Sequence, residues 1–219
     1  MNLDLFGDEE RLSRWREELY PEAVVLRRYA LEQENELLAA LRAVLAVSPW
    51  RDSYTPGGLK MSVTVTGCGE YGASNKGDYG MHAIDPLTGK PWPAMPEVFR
   101  RLGVEAAAEA GFPDFEPNMV HVNRYAPGAK LGTHQDKGES DTKAPIVSVS
   151  LGLPAVFKMG GLEQFEPIKH VPLEHGDIVV WGGASRLRYH GVQPVKPGRH
   201  PLTGECRLNL TIRRVVAGR

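Results

Sequence analysis

The chain has 219 residues, 42% of them apolar, which is enough for a real core and excludes global disorder. Its 26 basic and 27 acidic side chains give a formal net charge of −1, which argues against a uniformly basic nucleic-acid-binding domain. That total hides a gradient: residues 1–50 carry six basic against ten acidic side chains and residues 151–219 carry ten against five, so a polyanionic partner on one face stays open.

No run approaches the roughly 18 apolar residues that span a bilayer. The N-terminal MNLDLFGDEERLSRW is acidic and lacks the apolar core of a signal peptide. Two cysteines, Cys68 and Cys206, cannot make a disulfide framework and read as reduced packing residues. The expectation is a cytoplasmic protein forming one domain over 1–219.

In chain order, Leu37, Leu38, Leu41, Val44 and Leu45 form one apolar stripe and predict a helix over Leu31–Val47. Arg51–Pro93 is rich in Gly, Pro, Ser, Thr and Asn. It offers one strand-like piece, Lys60–Thr66, and a loop, Gly67–Gly80, of the kind that forms lids and binding elements. Pro96–Ala110 reads as a second helix, opened by Pro96 and closed by Gly111.

From Asn118 the period changes to two. Asn118–Tyr125 alternates, with Met119, His121, Asn123 and Tyr125 on one face. Ile146–Leu153 and Ala155–Met159 follow, with Gly160-Gly161 as a hairpin turn, and then Lys169–Pro172, Ile178–Trp181, Leu187–Val192 and Arg207–Arg214. Seven or eight short strands at this spacing predict a mainly β, α+β domain: helices packed on a sandwich or jelly roll, with an insertion near 51–93.

Two constellations carry chemistry. His134 and Asp136 are two residues apart, so in an extended segment both point the same way and reach one cation from one side. A third ligand must come from elsewhere, and His190 is the best candidate; two His and one carboxylate suit a non-haem Fe(II) oxygenase. His-x-Asp alone is weak evidence, because it arises by chance in many proteins. In Arg207-Leu-Asn-Leu-Thr-Ile-Arg213 every odd position is polar and every even one apolar. The row Arg207, Asn209, Thr211 and Arg213 either faces solvent or lines an interior, where two guanidiniums need anions and a small dicarboxylate would satisfy them.

Several long segments carry a resemblance: TPGG, IDPLTGKPWPAMP, NRYAPGAKLGTHQDK, APIVSVSLGLPAVF, EHGDIVVWGG and RLNLTIR. With them the chain resembles, over nearly its whole length, the AlkB family of Fe(II)- and 2-oxoglutarate-dependent dioxygenases that repair alkylated nucleic acids. The resemblance implies a double-stranded β-helix (jelly roll) core over 118–214, N-terminal helices and a nucleotide-recognition lid over 51–93. It assigns Fe(II) to His134, Asp136 and His190, and 2-oxoglutarate to Asn123, Tyr125, Arg207, Asn209 and Arg213. It puts Trp181 near the iron and assigns substrate contacts to Met61, Tyr71, Tyr79, Ser148 and Glu139.

The implied reaction uses O2 to demethylate 1-methyladenine or 3-methylcytosine oxidatively, with release of formaldehyde. The implied partner is single- or double-stranded DNA, with RNA or bulkier adducts as the alternative, and no membrane; a monomer is expected. The sequence departs from the family at its base-reading positions. The lid stretch Cys68–Ser74 has no tryptophan, which leaves Tyr71 as the candidate stacking ring. Gly138 stands where a base-facing acidic residue is usual, and Gln164 where an arginine is. Lys76, Lys130, Lys137, Arg186 and Arg188 are the candidate phosphate contacts.

Overall fold

The computed structural model describes residues 13–55, 57–74, 80–137 and 141–215. Among these, two antiparallel sheets dominate. The larger runs, in spatial order, β1 (Trp15–Tyr20), β2 (Ala23–Arg27), β12 (Ile178–Trp181), β9 (Ile146–Gly152), β14 (Arg207–Arg213), β7 (Met119–Tyr125), β4 (Lys60–Gly69) and β3 (Arg51–Tyr54). The smaller runs β11 (Lys169–Leu173), β10 (Ala155–Met159), β13 (His190–Val192) and β8 (Leu131–His134). A hairpin, β5 (Gly72–Ser74) with β6 (Gly80–His82), stands apart from both. The helices are α1 (Glu34–Val47), entered through a 3-10 turn at Leu31–Gln33, and α2 (Glu97–Glu109). No helix among the described residues is long and apolar enough to cross a membrane.

The period-two patterns place the core. Val24 and Leu26, Val147, Val149 and Leu151, and Leu208, Leu210 and Ile212 point from the larger sheet onto the helices, against Leu37, Leu41, Phe99 and Leu102. The alternate positions point at the smaller sheet, where Val25, Ile146, Val179 and Trp181 meet Phe157, Met159, Val171 and Val192. The larger sheet is therefore covered on both faces, and β9 and β14 are buried at every position. A Cβ on Gly103 of α2 would stand 3.0 Å from the Ile212 side chain, so the helix lies close on β14 because that position is glycine.

Several boundaries differ from the sequence expectation. The loop expected at Gly67–Gly80 is partly sheet: β4 continues to Gly69, and β5 and β6 pair across it. A Cβ on Gly72 would run into the Trp92 ring, so the hairpin rests on that indole, whose Nε1 donates to His82 O at 2.8 Å. The turn expected at Gly160-Gly161 is a connection running through residue 168, and only His190–Val192 of Leu187–Val192 is strand. Strands β1, β2, β3 and β8 are additions. The cysteines are free; Cys68 is buried, which pushes its thiol up to about 12.

Asp177, 2% exposed, ties the β2 end to the turn before β12. It accepts from Arg27 Nη1 at 2.7 Å, Arg28 N at 2.9 Å and Glu174 N at 2.9 Å. Removing this buried carboxylate takes the acceptor from the Arg28 and Glu174 amides and one of two carboxylates from Arg27, which keeps Glu17 and Pro172 O. Asp177→Ala is expected to cost about 3 kcal/mol of stability, read from the denaturant midpoint at unchanged slope.

Candidate active site

Three strands of the larger sheet turn polar side chains into the space between the sheets. Met119, His121, Asn123 and Tyr125 of β7, Arg207, Asn209, Thr211 and Arg213 of β14, and Ser148 of β9 all line one cavity of about 660 Å³. The polar row of β14 is thus interior, not solvated. The β14–β7 register sets Arg207 beside Tyr125 and Asn209 beside Asn123. Asn209 Nδ2 donates to Ser148 Oγ at 2.8 Å and to Val149 O at 3.0 Å, and Thr211 Oγ1 donates to Asn209 Oδ1 at 3.1 Å, which fixes that side chain.

At one end, His134 closes β8, Asp136 follows two residues later, and the β8–β13 pairing sets His190 directly opposite His134. His134 Nε2 lies 3.5 Å from Asp136 Oδ1, and His190 Nε2 lies 3.4 Å from Asp136 Oδ2. One donor atom from each residue falls within 4.8 Å of the other two. Each imidazole has its Nδ1 against a backbone carbonyl, Gly132 O at 2.9 Å and Arg188 O at 3.0 Å. A carbonyl only accepts, so each Nδ1 carries a proton, and Nε2 is the nitrogen each ring turns toward the carboxylate: it donates to Asp136 while protonated and offers its lone pair to a metal once that proton is lost.

Burial alone would raise the Asp136 carboxyl. The charges of Arg213 and His190 and the hydrogen bonds of both histidines hold it well below the usual carboxylate range. Arg213 Nη2 approaches Asp136 Oδ2 to 3.0 Å, yet Oδ2 has no aligned hydrogen bond among the described residues. Two imidazole nitrogens and an ionised, under-satisfied carboxylate fit a facial Fe(II) site. The support beneath it is built too. Arg186, 2% exposed, donates to Asp136 O at 3.1 Å and Ala144 O at 3.0 Å, and Gln135 Nε2 donates to Leu187 O at 2.5 Å.

At the other end of the β14 row, Arg207 is 1% exposed and has no carboxylate partner among the described residues. Its Nη2 donates to Ser150 Oγ at 2.9 Å, but Nε and Nη1 have no partner there, and neither does the hydroxyl of Tyr125, whose ring lies 5.0 Å from the guanidinium. Burial lowers the Arg207 pKa against the opposing pull of Tyr125, the signature of a cation lacking its anion. A guanidinium with two open donors and a phenol beside it is a carboxylate receptor.

The sequence profile of the 2OG-Fe(II) oxygenase superfamily matches residues 22–213. The chain is 55% identical over 212 residues to the alpha-ketoglutarate-dependent dioxygenase AlkB of Escherichia coli K12, covering 96% of this chain and 97% of that one. It is 54% identical over 215 residues to the AlkB of Salmonella typhimurium, covering 98% of each. The chain belongs to the AlkB family of 2OG-Fe(II) oxygenases. The solved structure of OsALKBH1 superposes with a TM-score of 0.81 at 28% identity, over 91% of this chain and all of that one. This AlkB-family protein is an Fe(II)- and 2-oxoglutarate-dependent dioxygenase with a jelly-roll fold.

The rest of the cavity wall is where AlkB-family position and sequence expectation part. Met61 and Ser148 line it as expected. Tyr71 does not; it is half-buried outside the lining, just before β5, and Ala73 of β5 lines the cavity instead. Tyr79, Glu139, Lys76 and Gly138 lie outside the described residues. Sequence reasoning missed Tyr54, Met81 and Leu87, which complete the outer wall, and gave no role to His121. Tyr54 could have been found as the polar-faced aromatic one residue before the TPGG turn. His121 lines the cavity; burial and the nearby Arg213 charge depress its imidazole to about 4, so it is neutral.

Two of the five candidate phosphate contacts are corrected. Arg186 is spent on the carbonyls beneath the metal site. Arg188 lies over the Tyr20 ring at 3.7 Å and donates to Gly160 O and Ser185 Oγ. Lys130 and Lys137 remain exposed.

Proposed function

We propose that this enzyme removes N-alkyl groups oxidatively from bases in nucleic acid, with 1-methyladenine and 3-methylcytosine in DNA as its substrates. One observation carries the reading. The His134–Asp136–His190 donor set and the open guanidinium of Arg207 share a cavity that Met61, Ala73, Met81 and Leu87 also line with apolar side chains and Tyr54 with a ring. Its volume is in the range that encloses small organic ligands.

The roles follow from position. His134, Asp136 and His190 would hold Fe(II), which when bound would supply the site for 2-oxoglutarate and O2. Arg207 and the Tyr125 hydroxyl take the carboxylate of 2-oxoglutarate far from the metal. Arg213, 3.0 Å from Asp136, takes the near one, with Asn123 beside it. Asn209 and Ser148 are bonded to each other and shape the floor. When bound, iron, 2-oxoglutarate and O2 supply an oxidant that hydroxylates the N-methyl carbon, which then leaves as formaldehyde while the cosubstrate leaves as succinate and CO2.

The 51–93 segment acts as the nucleotide lid. Arg51 holds the segment to itself, bonding Asp85 Oδ1 at 2.8 Å and stacking on Trp92 at 5.0 Å, and joins it to the end of α1 through Ser48 Oγ at 2.8 Å, while β4 pairs with β7. Tyr54 takes the flat-wall role expected of Tyr71. A base must leave its stack to reach this depth, which costs least for lesions that cannot pair. Lys130 and Lys137 meet phosphates.

The aliphatic lid face, Ala73 and Met81, holds a base less tightly than an aromatic would, and this favours a second reading: the same chemistry on methylated RNA or on bulkier adducts. A panel of defined lesions in matched DNA and RNA oligonucleotides, followed by mass spectrometry, separates the two. Faster loss of the methyl mass from DNA supports the first reading, faster loss from RNA the second, and no loss from either contradicts both.

A further inference from the structure

Nine consecutive exposed residues, 162–170, run from the connection between β10 and β11 into the first two residues of β11, and three of them are large and apolar: Leu162, Phe165 and Ile168. Phe165 is 95% exposed, more than any other large hydrophobic side chain in the described chain. Neither the core nor the turn explains it. Phe165 sits in the middle of a turn closed by Glu166 N to Glu163 O at 3.4 Å, a position that accepts most residue types and so does not call for an aromatic one.

The turn is held firmly beside the active site. Glu166 Oε1 accepts from Glu163 N at 2.8 Å, and its carboxylate lies over Gly161. Gly160 N donates to Tyr189 O at 2.7 Å and Tyr189 N to Gly161 O at 2.9 Å, which joins the turn to the residue before His190. Gln135, between the two β8-side metal ligands, donates to Leu162 O at 3.3 Å. The segment with the ring is thus bonded to the neighbours of all three metal ligands, at the rim of the cavity.

We infer that Phe165 is a base-stacking residue: its ring packs on the base next to the one drawn into the cavity and fills the stack left open there. The inference rests on the nucleic-acid reading above. The charge around the ring selects the contact. Glu163 and Glu166 flank it and repel phosphate, which leaves the neutral face of a base as the fitting partner. Cations stand to the side: Lys137 on the cavity wall, and Lys158, which donates to the cavity-lining Thr133 at 2.9 Å. An aromatic ring serves any base, since every base has a π face.

The test compares wild type, Phe165→Ala and Phe165→Trp on 3-methylcytosine in a duplex and in a trinucleotide, with 5-iodouracil beside the lesion for photocross-linking. The ring is bare, so its removal leaves the core intact. Phe165→Ala is expected to lower the duplex-to-trinucleotide ratio of kcat/KM by about 10-fold, the scale of one lost base–aromatic stack, and Phe165→Trp to restore it. The cross-linked peptide of wild type should contain Phe165. A ratio changed by less than about two-fold, or cross-links only elsewhere, overturns the inference. Wild type inert on both substrates would instead sink the nucleic-acid reading, and a cross-link at Phe165 would still be scored on its own.

Discussion

Replacing His134 with alanine is expected to abolish 2-oxoglutarate-dependent turnover while leaving the fold in place. The side chain is 37% exposed and its loss opens no core cavity. What it removes is one of three donors aimed at a single point. Disrupting even the outer partners of metal ligands costs about 10–100-fold in metal affinity, so loss of a ligand should exceed about 100-fold. Fe(II) titration followed by the anaerobic 2-oxoglutarate absorption band reads this directly. The three ligands differ in what else they do. Asp136→Ala also strips the buried Arg213 of its counter-charge, so that variant should lose stability by about 3 kcal/mol in addition to losing metal. A His134→Ala enzyme with wild-type iron affinity would remove this residue from the site.

The second large effect is at Arg207, where stability and function oppose each other. Its guanidinium is buried with Nε and Nη1 unmatched, and leaving such donors unmatched costs about 1–3 kcal/mol. Arg207→Met fills similar volume without that charge. It should raise the melting temperature of the cosubstrate-free protein and raise the KM for 2-oxoglutarate by about 100-fold or more. Cosubstrate at 100 times its Kd should stabilise wild type by about 2.7 kcal/mol and this variant hardly at all. Arg207→Lys keeps the charge without the two-pronged geometry and should recover only part of the affinity. Thermal melts with and without 2-oxoglutarate decide it; equal stabilisation of wild type and Arg207→Met would place the carboxylate elsewhere.

The β14 row shows what could be read in the sequence and why. Strict alternation from Arg207 to Arg213 identified the strand and separated its two faces, because a period of two survives any tertiary context. It could not say which face was solvated. The polar face turned inward because β7 and β9 flank it and the smaller sheet covers it, which is information about non-local pairing. His134 and Asp136 were legible by spacing; His190 had to be chosen from among dispersed histidines, and its place depends on the β8–β13 register. Strand β1 escaped because Arg16, Glu17 and Glu18 are poor strand formers. It is an edge strand, with Arg16 paired to Glu18 and Arg27 to Glu17. The β5–β6 hairpin escaped because its glycines read as loop, whereas Gly72 is there to admit Trp92. Tyr71 was favoured as the stacking ring because it is the only aromatic in Cys68–Ser74, but it precedes β5 and lies outside the cavity wall, which Ala73 lines.

The placing of metal site, dicarboxylate receptor and base pocket in one cavity is tested most directly by stoichiometry. An oligonucleotide with a single 3-methylcytosine is incubated with Fe(II), 2-oxoglutarate and O2, and formaldehyde, succinate and restored cytosine are counted together. The expected result is equal amounts of all three, with none formed when Fe(II) is withheld or Arg207 is replaced by Met. Succinate formed at the same rate with and without the lesion, and no formaldehyde, would contradict a base pocket coupled to this iron site.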